Sequence, residues 1–237
     1  MLRTGGNKIT WLGHSSFQIT TPGGSVVLID PWLTGNPKCP PGLQRPARVD
    51  VILISHAHGD HLGDTLQLAK THNPKIAAIY ETALWLESKD VTNVTAMSKG
   101  GTVKFGDVAA TLVNAFHSNG IEDEGKIIYG GEPGGWIVRL PGGLTVYHAG
   151  DTTVFGDMKL IGEIYKPDVA LLPIGDLYTM GPLEASFALR MLGVHHVIPM
   201  HYGTFPALTG TPEALRELTQ DIAGLEIHAL KPGESIA

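Results

Sequence analysis

A single cysteine, Cys39, stands in 237 residues. An internal disulfide is therefore excluded, and the usage fits a reducing cytosol. No apolar run approaches the roughly 18 residues that a membrane span needs. Met1 to Gly6 carries no apolar signal core, so a cytoplasmic protein is expected. Positive charge is scarce: 17 Lys and Arg against 23 Asp and Glu give a net charge of −6. That balance argues against nucleic acid as the main partner, because phosphate backbones recruit basic surfaces. A long basic arm and a basic amphipathic helix are both missing, which disfavours an RNA-clamping extension and a segment lying on a membrane. Linker-like breaks, solenoid-period repeats and coiled-coil patterning are also lacking. One domain over residues 1–237 is the expectation.

The chain does have ordinary globular composition, 43 % hydrophobic, and enough length to bury a sizeable core. Short apolar runs with turn residues between them predict strands at 8–12, 17–20 and 25–29, an antiparallel start. A stiff, proline-rich loop follows over 34–48. A strand at 51–54 precedes a helical pattern carried by Leu62, Leu66 and Ala69, then a strand near 76–80 and a helix near 82–88. The second half repeats this grammar. Strands are predicted at 102–105, 108–115, 136–140, 144–148, 169–173, 197–200 and 226–230, with helices near 157–165, 183–192 and 212–222. The Gly- and charge-rich insert from Asn119 to Gly135 is either a flap or a long surface hairpin. The implied build is two β-rich halves, each covered by helices, sharing one cleft. Trp11, Trp32, Trp85 and Trp136 are expected to serve packing.

The densest chemistry lies in Ser55-His56-Ala57-His58-Gly59-Asp60-His61, directly after an apolar strand. Neutral imidazole nitrogen and ionised carboxylate oxygen suit zinc and its neighbours. In extended backbone His56 and His58, two apart, project to one side and can grip a single ion. Gly59 lets the chain turn, leaving Asp60 and His61 free to face a second position. His117, Asp151 and His201 each follow a predicted buried strand, where scaffolds of this kind carry site residues. Together they supply the donor count of a dinuclear site.

The pattern H-x-H-x-D-H followed by separate His, Asp and His resembles the metallo-β-lactamase superfamily, and the resemblance covers essentially the whole chain. Gly13-His14-Ser15, Ile29-Asp30-Pro31-Trp32 and Pro199-Met200-His201-Tyr202 are similar to a small-hydrolase branch. That branch holds uncharacterised metal-dependent hydrolases, ascorbate-6-phosphate lactonase and N-acyl-phosphatidylethanolamine phospholipase D. The resemblance implies an α/β (α+β) fold, a four-layer αβ/βα sandwich with a two-metal site between its sheets. It implies one ion on His56, His58 and His117, another on Asp60, His61 and His201, and Asp151 as the bridge. Zinc is expected first and manganese second, with iron, nickel or cobalt also accepted by such donors. Two such ions about 3.5–4 Å apart can activate a shared water to hydroxide at neutral pH. Counting two divalent ions, two carboxylates and one hydroxide leaves a formal charge of about +1, attractive to an anionic small molecule.

The activity so implied is hydrolysis of a small ester, lactone or phosphoester, with Asp60 and His14 in catalytic roles. A phosphodiesterase or ribonuclease of the same fold is the alternative enzyme, and a metal-bound sensor or assembly module the alternative from another class. The branch is compatible with a homo-oligomer. Asp30 is expected to orient a ligand histidine, since ligating imidazoles donate their other N–H to an acceptor. His148 is expected to be buried beside the ligands. Asp176, Thr179, Met180, Tyr202 and Thr204, in loops after strands, are candidate substrate contacts. His72, His195, His196 and His228 match no motif and read as surface or structural residues.

Overall fold

The alternation of side chains along the strands fixes the layering. In the computed structural model, which describes residues 2–237, β3 (Val26–Ile29), β4 (Val51–Leu53) and β5 (Lys75–Ile79) lie side by side and parallel. Val27, Ile29, Val51, Leu53, Ala77 and Ile79 point into a core between two sheets. Their neighbours Leu28, Ile52, Ile76 and Ala78 point outward into a second core under helices. Strands buried on both faces read as continuous apolar runs, and these do.

The first sheet has seven strands. β1 (Lys8–Gly13), β2 (Ser16–Thr20) and β3 form its antiparallel start, and β6 (Val94–Met97) is one edge. Its outer face is covered by α2 (Thr65–His72) and α3 (Tyr80–Ser88), behind the short α1 (Gly59–Leu62). The second sheet, also seven-stranded, runs β15-β14-β13-β12-β11-β8-β7. Here β7 (Thr102–Phe105), β8 (Val108–Asn114), β11 (Gly134–Arg139) and β12 (Thr145–His148) are antiparallel. From β12 onward, β13 (Val169–Pro173), β14 (His196–Met200) and β15 (Glu226–Ile227) are parallel. A third core joins this sheet to α4 (Met158–Tyr165), α5 (Pro182–Leu192) and α6 (Pro212–Leu218). The last strand, β16 (Ser235–Ile236), returns to pair with β1 in the first sheet. The result is the expected αβ/βα sandwich.

Three expectations change in detail, and the insert takes the second of its two expected forms. The helix behind the His-rich motif is two pieces, because Gly63 breaks it at φ 44° with the Trp32 backbone packed against it. β6 and β16 are absent from the sequence reading, being short and only partly buried. The tail helix stops at Leu218 and the strand after it at Ile227. The insert becomes a hairpin, β9 (Gly120–Asp123) and β10 (Lys126–Tyr129), forming its own two-stranded sheet. Trp85 on α3 and Lys89 just past its end both donate to the Asp123 carboxylate at 2.9 Å, which fastens the hairpin tip. Of the tryptophans, Trp11 and Trp136 are buried in the central core. No helix among the described residues is long and apolar enough to cross a membrane.

One glycine is decisive for the end of the second sheet. A Cβ on Gly175 would fall on the carbonyl oxygen of His201. Gly175→Ala should therefore push the β13 and β14 loops apart and cost about 3 kcal/mol, the upper part of the range for overpacking. Urea unfolding of the variant beside the parent checks this; an unchanged midpoint would contradict the close approach.

Candidate metal centre

Strand ends deliver the site. Asp30 follows β3, Ser55 to His61 follow β4, His117 follows β8, Asp151 follows β12 and His201 follows β14. Three of the residues there, His14, Asp30 and His201, hold left-handed backbone at φ 54°, 48° and 59°. Such conformations cost free energy in non-glycine residues and persist where surrounding structure imposes them.

The imidazoles meet in two groups. Nε2 of His56 lies 3.1 Å from Nδ1 of His58, which lies 3.3 Å from Nε2 of His117. Nitrogens held at about 2.0–2.1 Å from one tetrahedral ion would be about 3.3 Å apart. The second group gathers His14, Asp60, His61 and His201. Asp151 stands between the groups: its Oδ2 is 3.2 Å from His61 Nε2, 3.1 Å from His201 Nε2 and 3.8 Å from His117 Nε2. Yet His61 Nε2 and both ring nitrogens of His201 are buried without a partner in hydrogen-bonding geometry. Buried polar atoms are normally satisfied, and here two of them, His61 Nε2 and His201 Nε2, have only the Asp151 carboxylate close by, poorly aligned for a hydrogen bond.

Tautomers follow from the neighbours. An ionised carboxylate only accepts, so His61 Nδ1–H donates to Asp30 Oδ2 at 2.8 Å. Ser55 donates its hydroxyl to the same oxygen at 2.6 Å, and its amide to Oδ1 at 2.7 Å. The Ser55 oxygen must then accept from His56 Nδ1, 3.1 Å away. Asp30 thus turns Nε2 of both His56 and His61 toward the cleft, one directly and the other through Ser55. Ser55 opens the motif in the sequence but receives no role there; a polar residue directly ahead of His56 was the signal for one. Asn119 adds a brace: its Oδ1 accepts from the Ala57 amide at 2.7 Å, while its Nδ2 donates to Gly130.

His14, expected in a catalytic role, is fully buried and faces Asp60. Its Nε2 donates to Asp60 Oδ2 at 3.0 Å, and Nδ1 accepts from the Thr204 hydroxyl at 2.9 Å. Thr204 is correspondingly buried and supports His14 rather than lining the cleft. Met180, another expected contact, has no exposed surface and packs in the core under α4 and α5. Tyr202 stacks on Trp11 at 5.3 Å, packed against the cores. Asp176 is exposed and caps the Leu177 amide, and Thr179 bonds the Met180 carbonyl. His148 contacts the Ser15 carbonyl and the Gly150 amide; it shapes the turn into Asp151 and touches no ligand candidate. The cleft itself, about 280 Å³, is lined by His58, Asp60, His117, Asp151 and His201 together with Ser118 and Tyr178. Both of the latter are new; Ser118 Oγ also lies 3.3 Å from His58 Nε2.

Burial governs the charge states. It holds His56, His58 and His117 below the ordinary imidazole value, and His14 at about 4 despite the Asp60 hydrogen bond. These rings are neutral at pH 7, the form that ligates a metal. Burial opposes ionisation of Asp151, but His201 and His61 outweigh it and keep the carboxylate well below its usual range. His61 is also penalised by burial, yet Asp151 and Asp30 on either side raise it well above the usual range.

Two mixed sheets with ligand-type histidines and carboxylates gathered at their strand ends define a metal-dependent hydrolase of the metallo-β-lactamase type. Residues 8–201 match the family described as a Beta-lactamase superfamily domain, and the chain belongs to that superfamily. It is 52 % identical over 229 residues to a UPF0173 metal-dependent hydrolase of Solibacter usitatus, covering 97 % of this chain and 99 % of that one. A second UPF0173 metal-dependent hydrolase, from Koribacter versatilis, is 49 % identical over 230 residues, 97 % of either chain. Among solved structures, Igni18, a metallo hydrolase of the archaeon Ignicoccus hospitalis, superposes with a TM-score of 0.86 at 34 % identity over 97 % of each chain.

The depressed His14 value sets a pH dependence for the metal-free protein. Unfolded histidine takes up its proton below about 6.5, folded His14 only near 4. Stability from this residue is therefore full above 6.5 and lost as pH falls toward 4, about 2 kcal/mol of it between pH 7 and 5. His61 runs the other way: its contribution is full below 6.5 and lost as pH rises through its raised folded value. Comparing urea unfolding at pH 7 and pH 5 in the parent and His14→Gln isolates the first effect. The variant should lose less stability on acidification; equal losses would refute the assignment.

Proposed function

We propose that this centre holds two divalent ions and hydrolyses a small, anionic ester, lactone or phosphoester. The observation that carries the reading is the set of unpartnered buried nitrogens of His61 and His201 crowded around the Asp151 carboxylate. Such a set is costly to leave unsatisfied and suits a metal. His56 Nε2, His58 Nδ1 and His117 Nε2 would hold one ion; Asp60, His61 and His201 the other; Asp151 would touch both. Bound there, the ions supply an activated water and a Lewis acid at neutral pH. Zinc fits the histidine-rich donors first, and manganese next.

The protein's own residues prepare the site. Asp30 and Ser55 keep His56 and His61 in the tautomers that leave Nε2 free. His14, held by Thr204, fixes one oxygen of Asp60 and so positions that carboxylate. Tyr178, 58 % exposed at the rim, offers a ring and a phenol to the body of a substrate. A cleft of about 280 Å³ favours a small substrate over a folded RNA.

Two measurements follow. Asp30→Asn retains shape but loses the acceptor pair; metal affinity, read by competition with a chelating dye, should fall 10–100-fold. An unchanged affinity would remove Asp30 from the ligand-orienting role. The activity itself is tested with purified, metal-loaded protein on lactones, carboxylic esters, phosphomonoesters and bis-p-nitrophenyl phosphate. Turnover of a lactone, ester or monoester, reduced by roughly a thousandfold in Asp151→Asn, is expected. Turnover of the diester alone would replace this reading with the phosphodiesterase one.

A further inference from the structure

The loop after β13 holds two residues in a row in a costly conformation. Asp176 and Leu177 have left-handed backbone, at φ 67° and 59°, which a bulky side chain such as leucine rarely adopts. Burial does not explain the leucine, since 63 % of it is exposed. Glycine or asparagine would meet the same turn with less strain. Strain of this kind, retained at a surface position, collects at ligand-binding segments.

The loop is fastened beside the metal centre. The Leu177 amide donates to Asp176 Oδ1 at 2.8 Å, the Tyr178 amide to the Asp176 carbonyl at 2.7 Å and the Asp176 amide to the Met180 carbonyl at 3.3 Å. Met180, fully buried, donates its own amide to the carbonyl of Thr152, the residue after Asp151, at 3.0 Å. These bonds hold Tyr178 where it forms part of the cleft wall with Asp151 and His201.

What the loop presents is apolar. Leu177 and Tyr178 are adjacent and both exposed. On the side of Asp60, the loop after β14 adds the exposed Phe205. Its ring lies 6.0 Å from that of His14, the hydrogen-bond partner of Asp60, and 6.1 Å from that of half-buried Trp32. Single apolar side chains on a surface need no reason, whereas a group of them around a cleft marks a binding surface. Charge is arranged to match. Among the described residues no lysine or arginine lines the cleft, and the strained loop's own charged residue is the exposed carboxylate of Asp176.

We propose that Leu177, Tyr178 and Phe205 form an apolar collar that seats a hydrocarbon chain, so that the substrate is a carboxylic ester or lactone with an alkyl or aryl body. This rests on the hydrolysis proposed above and narrows its substrate. The charge that the ions attract lies at the reacting group, and what extends from it is apolar. A sugar phosphate or nucleotide would set hydroxyls and further charge against side chains that offer them no partner.

The test uses the metal-loaded full chain. Acetate, butyrate, hexanoate and octanoate are titrated by calorimetry, and the matching p-nitrophenyl esters are assayed in parallel. Carboxylate affinity of the parent should rise about two- to fourfold with each added methylene, and the ester KM should fall along the same series. Leu177→Asn, which suits a left-handed position, should flatten that rise, and Tyr178→Ala should flatten it further. Affinity independent of chain length, or a rise that both variants keep in full, would overturn the collar. So would a parent dimer that Leu177→Asn converts to monomer with every carboxylate affinity unchanged, since the face would then be a contact between copies. A rise in affinity without turnover of any ester would sustain the apolar seat and sink the hydrolytic reading instead.

Discussion

Asp30 has no exposed surface, and its two oxygens accept from the Ser55 amide, the Ser55 hydroxyl and His61 Nδ1. A carboxylate so placed must be fully hydrogen-bonded, because an unpaired charge away from water costs several kcal/mol. The donors that satisfy it are the start of the His-rich motif and one of its histidines. The same bonds therefore anchor the loop after β4 and decide which ring nitrogen of His56 and His61 remains available. Stability of the strand end and readiness of the site are one arrangement here.

Asp151 plays the opposite part. It is buried among imidazoles that approach its Oδ2 without bonding it well, and two of them leave nitrogens unsatisfied. The metal-free protein compensates by charge, holding Asp151 ionised and His61 protonated. A metal held by this group would take the place of that proton. His14 and Thr204 extend the network behind Asp60, so the second group of donors is held from behind as firmly as the first.

Much of this was legible before the fold. Apolar runs bounded by glycine and proline located most strands, since a strand buried on both faces must be apolar throughout. β6 and β16 escaped because partial burial imposes no such pattern. The ligand candidates stood at strand ends, and the structure brings them together there. Ser118 and Tyr178 were missed: a serine and an exposed tyrosine in loops carry no period or spacing. Met180 and Thr204 were misread for the same reason, since a loop position does not reveal whether its side chain faces the cleft or the core.

The donors, their order and the layered architecture can be read from the chain alone. Residue chemistry and hydrophobic period are local properties, written in His56-Ala57-His58-Gly59-Asp60-His61 and in the alternation of the strands. The tautomers, the burial of His14 and the depth of Thr204 come only with packing. Each depends on groups far apart in the chain, such as Asp30 with His61 and His14 with Thr204, brought within hydrogen-bond reach by the packing of two sheets.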